Sequence, residues 1–139
     1  MMIWKKNIYD TLTSCSTLCN EFATECSNSD RLEECYRSIF ISLDCADLCR
    51  NLAASYVRGS ANARLMANAC IDVCEECAKE VSQFDTERSR QVYAMCKQTI
   101  CSCVNIIDMG SQIEFETKGS GMAPSSSFYG TDAREPLYS

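Results

Sequence analysis

The chain is predicted to be all-α: an antiparallel up-down-up-down four-helix bundle with cysteines lining the core, followed by a C-terminal tail containing Gly, Ser and Pro. Three observations predict it. Breakers are nearly absent from residues 1–109, where Gly59 is the single glycine and neither proline, Pro124 or Pro136, occurs. Turn signals recur at three places, "SNSD" (27–30), "RGSAN" (58–62) and "QFDTERS" (83–89). Between them, cysteines and apolar residues return every three or four positions, which marks one face of a helix. Long helices joined by short connections become antiparallel neighbours.

The first helix, about 3–27, carries Cys15, Cys19 and Cys26 within about 40° of one another at about 100° per residue. Trp4, Ile8, Leu12 and Phe22 continue that stripe, with Glu21 opposite. The second, about 30–57, opens at Asp30, read as an N-cap with Glu33 three residues on, close to a capping box. Its Cys35, Cys45 and Cys49 span about 80°. Gly59 is the stop and Ser60 the next cap.

The third helix, about 61–83, holds Cys70, Cys74 and Cys77 within about 60°, with Met66, Val81 and Phe84 on the same stripe. Asp72, Glu75, Glu76 and Lys79 lie opposite. The fourth, about 86–109, is capped by Asp85 or Thr86. Cys96 and Cys103 share its inner face with Val92, Ile100 and Ile107, while Cys101 falls about 140° away. Eleven of the twelve cysteines therefore sit on the apolar face of their own helix, and the apolar face goes inside. Residues 1–109 form the bundle and 110–139 the tail, with Met122, Phe128, Tyr129, Leu137 and Tyr138 as its apolar anchors.

Composition removes several functions. The net charge is -6, with basic residues scattered among acids, so no nucleic-acid partner is expected. No apolar run is long enough for a membrane span. The start "MMIWKKNIYDTLTSC" lacks the apolar core of a signal peptide, which points to the cytoplasm, where thiols stay reduced. Histidine is absent, so there is no Glu-x-x-His di-iron motif and no Cys–His or Ser–His nucleophile pair. A dithiol enzyme needs exposed cysteines, not a buried array, and no active site is expected.

Packing alone accounts poorly for so many inward thiols, because Leu, Ile and Val fill more volume and do not oxidise. Cross-helix disulfides require an oxidising compartment. Reduced thiols in this number read as metal ligands. Structural zinc takes isolated four-ligand sets, and "CEEC" (74–77) alone is a weak zinc or redox signal. Iron–sulfur clusters take compact four-cysteine sets, usually on loops. Cu(I) accepts thiolates at low coordination number, and a core with one Cu(I) per thiolate is electrically neutral. All twelve cysteines are candidate ligands: Cys15, Cys19, Cys26, Cys35, Cys45, Cys49, Cys70, Cys74, Cys77, Cys96, Cys101 and Cys103. Met66 and Met109 read as core filling first and as thioether ligands second.

The motifs "CSTLCNEFATEC", "CADLC", "CIDVCEEC" and "CKQTICSC", over about residues 5–108, resemble the bacterial cysteine-rich copper storage proteins, a family of four-helix bundles. The resemblance implies a tube storing multiple Cu(I) ions through bridging thiolates, often as a tetramer, and the N-terminus is similar to that of the cytosolic branch. The chain departs from the family in having no histidine near the helix ends, in placing Val81 where a further cysteine is expected, and in its tail. The expected function is cytosolic Cu(I) storage by a homo-oligomer. The alternative is a structural or assembly subunit, docked through its tail onto another copy or a protein partner, whose cysteines form disulfides or bind zinc or iron–sulfur.

Overall fold

The computed structural model describes residues 3–119; the side chains of Trp4 and of residues 110–119 lie outside what is described, as do the tail anchors Met122, Phe128, Tyr129, Leu137 and Tyr138. All regular structure among the described residues is helical: α1 (Ile3–Ser27), α2 (Leu32–Val57), α3 (Ala63–Val81) and α4 (Glu87–Gly119). They form the four-helix bundle. The chain divides into two compact units, residues 1–107 and 108–139; the bundle is the first, and the described part of the second is the last stretch of α4.

Each connection has its own local cause. Between α1 and α2 the chain turns through Asn28 N–H to the Thr24 carbonyl and Ser29 N–H to the Cys26 carbonyl, both 3.2 Å. Asp30 is not the cap. The cap position is Arg31, with no side-chain cap bond, and Ser29 Oγ accepts the Arg31 N–H instead at 3.2 Å. The tight turn places Asp30 one residue too early to reach the free N–H groups of α2.

Helix α2 ends in a Schellman motif. Gly59 adopts φ 72, Ser60 N–H donates to the Ser55 carbonyl at 2.9 Å, and Gly59 N–H donates to the Tyr56 carbonyl at 3.1 Å. An added Cβ at Gly59 would meet nothing within 4 Å, so only the left-handed backbone requires glycine there. The α3 cap position is Asn62, also without a side-chain cap bond, while Ser60 Oγ accepts the Asn62 N–H at 3.1 Å.

At α4 a reciprocal box forms. Ser89 N–H donates to Thr86 Oγ1 at 3.0 Å and Thr86 N–H donates to Ser89 Oγ at 3.1 Å. The helix then continues to Gly119, past the end expected at 109. Gly110 costs helix stability but does not stop the run "SQIEFETK", which contains no proline.

Helices α2 and α3 pack antiparallel in a regular register: Cys49 faces Cys70, Cys45 faces Cys74 and Ser42 faces Cys77. Helices α1 and α2 are also antiparallel, with Lys5 Nζ 5.6 Å from the Tyr56 ring centre. At the end holding the α1–α2 and α3–α4 loops, Phe22 and Phe84 meet edge to face at 5.6 Å. There too Arg88 bridges α4 to α1 through Glu25 at 3.2 Å. The opposite end is filled by Ile8, Leu12, Leu52, Ala63 and Ala67.

The inner stripe of α4 differs from the expected one. Thr99 and Ile106 are buried, whereas Ile100 and Ile107 are half-buried. The stripe follows 92, 96, 99, 103 and 106, a three–four alternation that stays centred on the bundle axis, as an unbroken four-residue step does not.

Candidate metal centre

Eleven cysteines are buried and Cys101 is exposed, and all twelve are free thiols. The helices deliver the sulfurs to one another in pairs. Cys45 Sγ and Cys74 Sγ are 3.7 Å apart, as are Cys49 Sγ and Cys70 Sγ, and Cys70 Sγ lies 3.9 Å from Cys74 Sγ one turn along α3. Metal–sulfur bonds of about 2.3 Å in a tetrahedral site give sulfur–sulfur edges of about this length.

Two sets of four sulfurs gather into metal-sized groups. Cys15, Cys45, Cys49 and Cys74 form one; Cys15, Cys19, Cys45 and Cys96 form the other. Within each set all sulfurs lie within 4.8 Å of one another and all four residues are buried. The sets share Cys15 and Cys45, so a metal in one would have bridging thiolates in common with a metal in the other. Neither contains a carboxylate. The donor set is wholly soft, which favours thiophilic ions over Mg or Ca.

Proton affinities inside the array are split by these contacts. Hydrogen bonding from Cys19 holds the Cys15 thiol well below the ordinary value, and hydrogen bonding from Cys15 does the same for Cys45. Cys70 is lowered to about 2 by Cys103. Cys19, Cys49, Cys74 and Cys96 are pushed up, each first by Cys15; Cys103 is pushed up first by Cys70. The cause is physical: a first thiolate is stabilised by S–H donors around it, and its neighbours then keep their protons against a nearby negative charge and low dielectric. Cys15 is the hub of this network. Such an array would take up a cation by exchanging protons for metal.

Cys26 and Cys35 lie beyond the two quartets, toward the loop end. Cys26 is pushed up to about 12, first by burial and then by the charge of Cys35. Met66 is half-buried on the first turn of α3.

Three further residues on the cysteine stripes were not singled out in the sequence. Ser38 and Ser42 occupy inward positions of α2 between Cys35 and Cys45, and Ser42 Oγ lies 3.8 Å from Cys77 Sγ. Thr99 sits between Cys96 and Cys103 on α4, fully buried, its hydroxyl without a hydrogen-bond partner. The signal was present: 35, 38, 42, 45 and 49 follow the same three–four period as the cysteines, but small hydroxyl residues attract no attention as ligands.

A helical bundle with sulfur-only quartets buried in its core is built to be able to hold metal ions. The family model described as copper storage protein matches residues 4–108, and the chain belongs to that family. No curated protein and no solved structure matches it.

Proposed function

We propose that the protein stores Cu(I) in the cytoplasm, holding several ions per chain through bridging thiolates inside the bundle. The observation that carries this reading is the sharing of Cys15 and Cys45 between two sulfur quartets. Shared thiolates allow a polynuclear cluster, and one Cu(I) per thiolate leaves the cluster neutral in a low-dielectric core. All twelve cysteines are assigned as ligands, with Cys101 joining from its exposed position when α4 loosens or at an interface between copies. The role is cargo holding, not catalysis: the chain has no histidine to activate a nucleophile, and eleven of its twelve thiols are buried. Among the described residues no helix is long and apolar enough to cross a membrane.

Self-association is part of the proposal. Tyr36 and Phe40 stack on the outer face of α2 with ring centres 6.4 Å apart, and both are exposed, as is Leu43 one turn on. An exposed aromatic stripe of this kind suits burial against a second copy. The stretch 110–139 is proposed as a separate tail that docks onto another copy or a protein partner.

The test is an anaerobic titration of reduced protein with Cu(I) against a chromophoric chelator. Two unshared thiolates per ion would give about six ions per chain and full bridging would approach about twelve. The compact quartets also favour a second reading, structural zinc with tetrahedral thiolate ligation. Saturation at one or two Cu(I), with two Zn(II) bound more tightly in competition, would establish that reading instead.

A further inference from the structure

The buried thiols do not form one continuous set. Cys77 and the thiols of the two quartets are linked through one another, and Cys70 of α3 and Cys103 of α4 join them. Cys26 and Cys35 stand apart. Cys26 lies on the last turn of α1 and Cys35 on the first turn of α2, on either side of the Asn28–Arg31 loop. The neighbours that act on the Cys26 thiol are Cys35 and Glu25, and no central cysteine is among them. Ser29 Oγ lies 4.0 Å from Cys35 Sγ.

A layer without thiols separates the pair from the centre. Its inward positions are Phe22 on α1, Ser38 and Ile39 on α2, Val81 on α3 and Val92 on α4, all buried. Phe84 closes over Phe22 from the α3–α4 loop. A bare cuprous ion in such a layer has no sulfur to hold it, and a charge without ligands in an apolar layer is costly.

We propose that Cys26 and Cys35 form a separate two-thiolate Cu(I) site at the loop end of the bundle, which fills and empties independently of the central thiols. The proposal rests on the Cu(I) reading of the array. Two-coordinate thiolate ligation suits Cu(I), and among the described residues neither Cys26 nor Cys35 belongs to a metal-sized group of three or more ligand atoms. Loading exchanges the two thiol protons for one Cu(I), which leaves a single negative charge near the protein surface; the Ser29 O–H can donate to the Cys35 thiolate. Cys26 is 7% exposed and Cys35 3%, against 0% or 1% for the central cysteines. A soluble ligand therefore reaches this ion first, and the thiol-free layer keeps the central ions from following.

The experiment uses the full chain, reduced and saturated with Cu(I) without oxygen, then challenged with excess bathocuproine disulfonate. Release is followed by absorbance, and free thiols are mapped by alkylation and mass spectrometry after the first phase. The expected result is a fast phase of about one ion per chain, in two-thiolate stoichiometry, with alkylation confined to Cys26, Cys35 and the already exposed Cys101. In the Cys26→Ser, Cys35→Ser double variant the fast phase disappears and the slow amplitude is unchanged. Release in a single phase, alkylation spread over the central cysteines, or a fast phase that survives in the double variant would overturn the proposal while leaving storage intact. A chain that takes up no more than one or two Cu(I) in all overturns the storage reading and this one with it. Should the double variant fail to fold, the alkylation map of the unmodified chain decides alone.

Discussion

The Ser42 hydroxyl lies 3.8 Å from the Cys77 sulfur, in the same antiparallel register that sets Cys45 against Cys74 and Cys49 against Cys70 at 3.7 Å. A third rung of the α2–α3 ladder is therefore built as hydroxyl and thiol. Ser42→Cys completes it with a nearly isosteric side chain. We predict that Cu(I) capacity rises by about one ion per chain, because a new thiolate pair needs no new backbone. An unchanged endpoint in the anaerobic titration would show that Cys77 already has all the ligands it can use.

Cys101 and Cys103 separate the inner from the outer face of α4. Cys101 is exposed and Cys103 fully buried. In apo protein, Cys101 is expected to react first with a bulky thiol reagent. Cys103→Ser is expected to lower Cu(I) capacity, whereas Cys101→Ser changes it little. Equal reaction rates by mass spectrometry and equal losses of capacity would contradict the assignment of faces.

Thr99 carries a cost that a simple substitution removes. Its hydroxyl is buried and unpartnered among the core side chains. Thr99→Val keeps the shape and deletes the polar atom, so apo protein is predicted to gain about 1 kcal/mol of stability. The check is the urea midpoint of the apo form. A lower midpoint would mean that the hydroxyl finds a partner in solution.

Alkali should weaken the apo protein and spare the loaded one. Cys26 is raised from 9.0 to about 12, first by burial and then by Cys35, and Cys19, Cys49, Cys74, Cys96 and Cys103 are also raised. A thiol whose folded value exceeds its unfolded value keeps its proton in the folded state after the unfolded chain has lost it. Its contribution is complete below pH 9.0 and is lost as the pH climbs toward 12. The lowered thiols Cys15, Cys45 and Cys70 act at lower pH and do not offset this loss. Urea unfolding of apo protein above pH 9 should show falling stability, while Cu(I)-loaded protein, its thiolates already ionised, should change less. A flat apo profile would sink the argument.

The four helices and most of their inward-facing positions were legible in the amino-acid pattern. Within residues 1–109 breakers were confined to the turns, and cysteine spacing of three, four and seven matches the helical period, so Cys15, Cys19, Cys70, Cys74, Cys96 and Cys103 could be placed on inner faces, and Cys101 outside, from the pattern alone. Helix ends were less legible, because Asp30 and Arg31 compete for one cap and only the turn geometry settles it. On α4 the pattern points to Ile100 and Ile107 where the bundle buries Thr99 and Ile106, since a four-residue step and a three-residue step both satisfy local periodicity. The relation between helices was not legible there and is set by how they pack. The register that matches Cys45 to Cys74, the two quartets meeting at Cys15 and Cys45, and the thiol-free layer between the centre and Cys26 all depend on axial offsets between helices. Helical period fixes the angle of a side chain about its own axis; the height at which it meets a neighbour comes from packing and loop geometry, and no single helix encodes it.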